Sequence, residues 1–102
     1  MKISAQDSIL NISDIKELGA SNSENFRKEV RAAIPDPVRA IEVDLSQTNF
    51  LDSCGLGALI SIYKLANNNP QPVAFRLLNP TPPIQQILEL TRLHRLFEIV
   101  KR

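Results

Sequence analysis

A short segment at residues 51–57 holds the side chains whose types and spacing could do chemistry. It lies between a β-branched run at residues 41–45 and an apolar helical pattern that begins at Leu56. Asp52 or Ser53 is suited to be the N-cap of that helix, because either side-chain oxygen can accept a hydrogen bond from the unpaired N–H groups of the first turn. A phosphate on Ser53 would lie at the positive end of the helix dipole, where the backbone favours an anion.

Five short runs of alternating or β-branched residues predict the strands that position this segment. Residues 2–5 and 8–12 alternate apolar and polar side chains and predict an N-terminal β-hairpin. Residues 41–45 and 73–78 predict two further strands, and the first of these is expected to be central in the sheet. Residues 97–100 are expected to close the sheet as a last short strand.

Three amphipathic patterns predict helices. The first begins at Ser21, which fits a capping box with Glu24, and it ends at the two prolines of residues 35–37. The second follows the 51–57 segment and ends at residues 67–70, which include Asn69. The third follows Thr81, at a run of prolines that suits a first helical turn. Their apolar stripes, expected to face the core, are Phe26, Val30, Ala33 and Ile34, then Leu56, Leu59, Ile60 and Tyr63, then Ile84, Ile87, Leu88 and Thr91.

This order of elements predicts one α/β domain over residues 1–102. We expect a mixed, mostly parallel sheet of four to five strands that packs against three to four helices. In such folds ligands and partners are met at the carboxyl ends of the strands, where the loops lead into helices. The loop after residues 41–45 is therefore the first place to look for a site.

Composition excludes several classes of function. Twelve Lys and Arg residues against 11 Asp and Glu leave a net charge of +1, so no basic field is present to bind nucleic acid or an anionic membrane surface. The single cysteine cannot form a disulfide within the chain, and one His with one Cys cannot build the usual zinc site. The first residues lack the apolar stretch of a signal peptide, and charges interrupt any span of about 20 apolar residues. We expect a cytoplasmic protein without metal, cofactor or membrane insertion.

Catalysis by Cys54 is the enzymatic alternative. A thiol at a helix N-terminus can act as a nucleophile or a redox sensor, but a nucleophile needs a positioned base. His94 is the only histidine, and it lies far along the chain with no acidic partner at a suggestive spacing. The two glycines of the segment do not match a nucleotide-binding motif either. The sequence therefore predicts a binding protein rather than an enzyme. A basic C-terminal stretch could meet an acidic partner, although a solvated charged end is the simpler interpretation: Arg92, Arg95, Lys101 and Arg102.

Residues 50–59 resemble the Asp-Ser-Ser/Thr-Gly-Leu-Gly signature of STAS domains, specifically of bacterial anti-sigma factor antagonists. Residues 87–97 look like the last helix of that family with its Leu-Thr-Gly-Leu-x-x-Leu-Phe ending. The resemblance covers residues 40–102 closely and the first 35 residues loosely. Three positions depart from the family pattern, namely Cys54 for a second Ser or Thr, Arg92 for a frequent Gly, and Gly19 for an Asp near the first helix.

The resemblance implies a STAS fold and a partner-switching role. The unmodified protein would bind an anti-sigma factor that is a serine kinase with a histidine-kinase-like ATPase fold, which releases a sigma factor. That kinase would phosphorylate Ser53, and a serine phosphatase would reverse the modification. The implied contact residues are Asp52, Ser53, Cys54, Gly55, Leu56 and Gly57.

Two alternatives stay open beside that role. The same fold also serves as an unphosphorylated adaptor, for example in bacterial lipid-transport or signalling complexes, and a homodimer is not excluded. On physical grounds alone, Ser53 could be only a helix cap, and Gly55 and Gly57 could only permit close packing.

Overall fold

The computed structural model describes residues 1–68 and 70–102, so Asn69 lies outside the described residues. The strands are β1 Lys2–Gln6, β2 Ile9–Ser13, β3 Glu17–Leu18, β4 Ala40–Asp44, β5 Phe50–Leu51, β6 Ala74–Leu78 and β7 Glu98–Val100. The helices are α1 Ser23–Ala33, α2 Ser53–Ala66 and α3 Pro82–Leu90, and a short 3-10 helix, Leu93–Arg95, follows α3.

The main sheet has five strands in the order β1-β2-β4-β6-β7. Only the β1–β2 pair is antiparallel, and each of the other neighbours pairs in parallel. Asp7 and Ser8 connect the hairpin with positive φ angles at both positions, as a tight hairpin turn requires. The predicted α/β class, the mostly parallel sheet, the N-terminal hairpin and the central place of β4 are confirmed.

The two faces of this sheet differ in what covers them. Residues Leu10, Ile41 and Phe75 lie side by side in register on one face and belong to the buried core, which all three helices share. On the other face a polar row crosses the strands, and its centre is the buried carboxylate of Glu42. Arg76 Nη1 and Arg102 Nη2 each lie 3.0 Å from Glu42 Oε2. The predicted basic C-terminus is thus partly neutralised within the fold.

The start of α1 differs from the prediction. Asn22, and not Ser21, is the N-cap residue, and no side chain caps this helix. The Asn22 amide instead bridges two backbone groups, because its Oδ1 accepts from Gly19 N and its Nδ2 donates to Glu17 O. The predicted capping box with Glu24 is therefore wrong. Both partners lie within five residues of Asn22, in the turn that precedes the helix.

The second predicted helix is confirmed as α2. Its buried side is rotated slightly about the helix axis from the apolar stripe that the sequence predicted. Leu59 is fully buried as expected, whereas the other predicted positions pack partly against the core: Leu56, Ile60 and Tyr63. The fully buried side is formed by Gly55, Ala58, Leu59, Ile62 and Ala66. The helix ends at Ala66 with Asn67 as its C-cap, and of the predicted stop at residues 67–70 Asn69 lies outside the described residues.

Helix α3 begins after Thr81, as predicted, with prolines in its first turn. The Thr81 hydroxyl does not cap the helix but donates to the carbonyl oxygen of Thr48 at 2.8 Å. Ile84 and Leu88 are buried, Ile87 is partly buried, and the last member of the predicted stripe, Thr91, is the exposed C-cap residue.

A two-stranded parallel ribbon of β3 and β5 was not predicted. It pairs Glu17 with Phe50 and Leu18 with Leu51. Thr48, which precedes β5, is fully buried, and its hydroxyl donates to the carbonyl oxygen of Ile15. This ribbon brings the chain before α1 alongside the chain before α2.

Candidate functional site

The candidate site is the start of α2, which the β3–β5 ribbon sets beside the turn that leads into α1. The chain leaves the central strand β4, passes through β5 and enters α2 at Ser53. The loop after the predicted strand at residues 41–45 therefore leads to the 51–57 segment, as the sequence indicated.

Asp52 is the N-cap of α2 and also joins the helix to the neighbouring turn. Its Oδ1 accepts a hydrogen bond from Gly55 N at 2.9 Å, and its Oδ2 accepts one from Ala20 N at 3.0 Å. The Gly55 N–H, and after it the Ala20 N–H, hold the pKa of the Asp52 carboxyl below its ordinary value, because both stabilise the charged form. Asp52 is thus ionised near neutral pH, and both of its oxygens have partners within the fold.

Ser53 is the first residue of α2, and its side chain points away from the core. The residue is exposed, and its hydroxyl forms no hydrogen bond with any other described residue. Cys54 and Gly57 are exposed as well, and Leu56 is half-buried. The outer side of the first two turns is therefore accessible, and the serine hydroxyl is available for reaction.

Gly55 lies on the opposite, inner side of the same turns. A Cβ added there would lie 2.1 Å from the carbonyl oxygen of Leu18 and 2.7 Å from Leu51 Cδ1. Because one of these atoms is backbone, the helix could not approach β3 this closely with any larger residue. Gly55 therefore permits close packing, which is the alternative that the sequence left open for both glycines, whereas a Cβ at Gly57 would meet nothing within 4 Å.

Gly19 and Phe50 complete the site, and the sequence pattern did not single out Phe50. A Cβ added at Gly19 would lie 2.8 Å from Asp52 Oδ2 and 2.8 Å from Phe50 Cε2, so the carboxylate and the ring lie against the same glycine. Where the family pattern has an Asp, the carboxylate of Asp52 here takes up the space beside Gly19. Phe50 is 49% exposed. A signal in the sequence was its place two residues before Asp52, at the start of the run that resembles the STAS signature.

The alternative catalytic pair is not assembled in the described part of the chain. Cys54 is the second residue of α2, whereas His94 lies in the 3-10 helix, where its Nδ1 is 3.3 Å from the carbonyl oxygen of Leu88. Among the described residues, no group of three or more His, Cys, Asp and Glu side chains could hold a metal ion. Arg92 and Arg95 are exposed and form no ion pair with another described residue.

Arg92 explains one departure from the family pattern in physical terms. It has φ 62° and ψ 15°, which is the left-handed conformation that glycine adopts at least cost. The chain keeps this turn at the end of α3 with a non-glycine residue.

No helix in the described residues has the length and the apolar content that crossing a membrane requires.

The family model for the STAS domain matches residues 1–102. The chain belongs to the STAS domain family. A candidate anti-sigma factor antagonist of Thermotoga maritima has a similar crystal structure, with 25% sequence identity, a TM-score of 0.87, and coverage of 99% of this chain and 86% of that one.

Two structures of lower sequence identity share the fold. An anti-sigma factor antagonist of Mycobacterium paratuberculosis is 22% identical, with a TM-score of 0.82 and coverage of 97% and 82% of the two chains. The anti-sigma factor antagonist SpoIIAA, in its unphosphorylated form, is 18% identical, with a TM-score of 0.76 and coverage of 99% and 86%. The STAS assignment from residues 50–59 is therefore confirmed.

Proposed function

We propose that this STAS protein is an anti-sigma factor antagonist that binds an anti-sigma factor serine kinase through the outer side of the start of α2. Phosphorylation of Ser53 ends that binding. The observation that carries the proposal is the exposed, unbonded hydroxyl of Ser53 at the first helical position after Asp52. The similarity to anti-sigma factor antagonists supports the choice of partner.

The chemistry of the proposed switch is a phosphoryl transfer. The γ-phosphoryl group of ATP moves to Ser53 Oγ, the hydroxyl gives up its proton, and ADP leaves. The partner is the kinase with a histidine-kinase-like ATPase fold, and a serine phosphatase returns Ser53 to its hydroxyl form. In the cytoplasm the cycle controls transcription that depends on a sigma factor. The protein itself acts by binding, not by catalysis.

Phosphorylation at this position affects the interface far more than the fold. The modification adds a charge of roughly −1.5 to −2 at pH 7. Inside the protein, the N-terminus of α2 tolerates an anion. Against a partner, the same phosphate stands next to the ionised Asp52 and must be desolvated in the middle of the contact. We therefore expect a folded protein that has lost its affinity.

Binding to the purified anti-sigma factor serine kinase of the same organism tests this proposal. Four proteins are compared by calorimetry without ATP, namely wild type, Ser53→Ala, Ser53→Asp and Ser53→Asn. We expect Ser53→Ala to bind like wild type and Ser53→Asp to bind about a hundredfold more weakly. Ser53→Asn is the matched control, because it has the shape of Asp without the charge. With ATP, radiolabel is expected on wild type and absent from Ser53→Ala.

Two outcomes would contradict the proposal. One is an absence of binding by unmodified wild type, and the other is equal affinity of Ser53→Asp and Ser53→Asn. If the affinity does not depend on the charge at residue 53 and no radiolabel is transferred from ATP to wild type, the adaptor alternative is favoured. The protein would then be sought in a complex of fixed composition.

A further inference from the structure

We propose that the turn between α3 and β7 forms a docking surface for an acidic segment of a protein partner that also carries large apolar side chains. Four exposed residues form this surface, named here the 90–96 patch: Leu90, Arg92, Arg95 and Leu96. The patch lies away from Ser53, so the inference goes beyond the proposed function and does not depend on it.

The 90–96 patch and Ser53 lie at opposite ends of the sheet. Thr81 Oγ1 donates to the carbonyl oxygen of Thr48 at 2.8 Å, and α2 and α3 both begin at the carboxyl ends of the parallel strands. Because β7 pairs in parallel with β6, the chain between α3 and β7 has returned to the amino ends of these strands. One partner can therefore bind the patch while another contacts the start of α2.

Two leucines of the patch are exposed on an anchored turn. Leu90 is 76% exposed and Leu96 is 41% exposed, and among the described residues these are two of the four large apolar side chains that are exposed. The turn itself is fixed, because Leu93 packs against the core and Phe97 is buried. Apolar side chains that a fixed backbone holds close together in solvent are typical of a contact surface.

Two arginines lie among these leucines without an internal partner. Arg92 and Arg95 are exposed and form no ion pair with another described residue. The acidic side chains that flank the turn are bonded elsewhere. Glu89 Oε2 accepts from a side-chain amide one turn earlier on α3, and Glu98 Oε2 lies 3.4 Å from Arg76 Nε. Two guanidinium groups are thus available to a partner.

The backbone of Arg92 shows that the fold does not require an arginine there. Among the described residues, the others with a positive φ that are not glycine have short polar side chains: Asp7, Ser8, Asp14 and Asn79. Arg92 has φ 62°, a conformation that costs a long side chain more than glycine. Strained positions of this kind are kept where the side chain has a use. Since its guanidinium has no ion-pair partner within the described chain, we place that use outside the fold.

The chemistry of the partner follows from these groups. A guanidinium group binds a carboxylate through two parallel hydrogen bonds, and Arg92 and Arg95 are joined by a backbone hydrogen bond of 3.2 Å that keeps them on one turn. The complementary segment therefore has at least two Asp or Glu residues, with large apolar residues that cover Leu90 and Leu96. An anionic membrane surface fits less well, because it is recognised by clusters of about four to eight basic residues.

Cross-linking in the cells that make this protein tests the inference. A photo-crosslinking benzoylphenylalanine replaces Gln86, which is exposed one turn before Leu90 on α3, and mass spectrometry identifies the attached segment. The same group at Lys28, exposed on α1, gives the background. We expect a protein segment with at least two carboxylates and two large apolar residues. The cross-link is expected to disappear with Arg92→Gln and Arg95→Gln together and to persist with Arg31→Gln, the matched control for an exposed arginine.

A synthetic peptide of the attached segment then gives affinities by fluorescence anisotropy. We expect Arg92→Gln, Arg95→Gln and Leu90→Ser each to bind it about tenfold more weakly than wild type. Arg31→Gln and Ser53→Asp are expected to bind it like wild type. Arg92→Gly is expected to unfold at a higher temperature and yet bind more weakly, because glycine adopts the left-handed conformation at less cost. Damage to the fold cannot produce these opposite changes.

Five results would overturn the inference. They are a yield at position 86 no higher than at position 28, a cross-link to phospholipid or to a second copy of this chain, a segment without carboxylates, equal affinity of wild type and the arginine variants, and a lower unfolding temperature for Arg92→Gly. Since none of these measurements alters Ser53 except in a control, the proposed function stands or fails separately.

Discussion

The inner and outer sides of the first two turns of α2 carry glycines for different reasons. On the inner side Gly55 is held by the carbonyl oxygen of Leu18, which leaves no room for a Cβ. On the outer side Gly57 meets nothing, and Ser53 and Cys54 face solvent. Gly55 is constrained by packing, whereas Gly57, two residues further along the chain, lies on a surface that is free to bind. One short motif therefore fixes the helix against β3 and presents Ser53, the serine that we propose is phosphorylated.

The largest expected effect is on the inner side, at Gly55→Ala. The new Cβ would lie 2.1 Å from a backbone oxygen, so the helix or β3 must move. We expect a loss of about 3 kcal/mol in the free energy of unfolding, measured by urea denaturation. A loss of less than about 1 kcal/mol would mean that α2 and β3 can separate at little cost to make room for the Cβ, and it would remove the contrast with Gly57.

A smaller loss of stability is expected for Asp52→Asn. This substitution alters the N-cap that joins the start of α2 to the turn before α1. Hydrogen bonds lower the folded pKa of Asp52 below its ordinary value of 3.8. Its contribution is therefore fully present above the unfolded pKa and is lost as the pH falls through the folded pKa. Urea denaturation of wild type and variant between neutral and acidic pH measures this difference. We expect it to shrink in acid, whereas a difference independent of pH would contradict the role of the carboxylate charge.

Gly57→Ala is expected to increase the free energy of unfolding by about 1 kcal/mol, since alanine is the better helix former and no neighbour opposes it. Paired with Gly55→Ala in the same urea experiment, it gives opposite signs for one substitution at positions two residues apart. The same sign at both positions would break the distinction between the two sides.

The smallest effect on stability is expected for Ser53→Ala. The hydroxyl is exposed and has no hydrogen bond to another described residue, so the free energy of unfolding should change by less than about 0.5 kcal/mol. Thermal and urea unfolding of wild type and variant check this. A larger loss would indicate that Ser53 stabilises the fold, as in the alternative in which it is only a helix cap.

The sequence allowed the main elements to be predicted because their side chains repeat with the period of the backbone. Strand β4 and helix α2 are examples, since the alternation at residues 41–45 and the apolar spacing after Leu56 both depend on local geometry. The motif also indicated the position of Ser53 correctly, at the start of a helix.

Other features depend on contacts between distant residues, which a local pattern does not encode. Strands β3 and β5 have two residues each and show no period, and the buried hydroxyl of Thr48 has its partner, the carbonyl oxygen of Ile15, 33 residues away in the chain. Gly55 and Gly57 look alike in the sequence, because a residue without a side chain gives no sign of the side on which it lies. Only the approach of Leu18 distinguishes them.

The most direct test of the account is the intact mass of this protein purified from its own cells, with and without phosphatase treatment, followed by peptide mapping of residues 44–64. The account predicts a fraction heavier by one phosphate group, which phosphatase removes and which maps to Ser53. A Ser53 that stays unmodified under all growth conditions, while the protein remains bound to an unchanging complex, would contradict it.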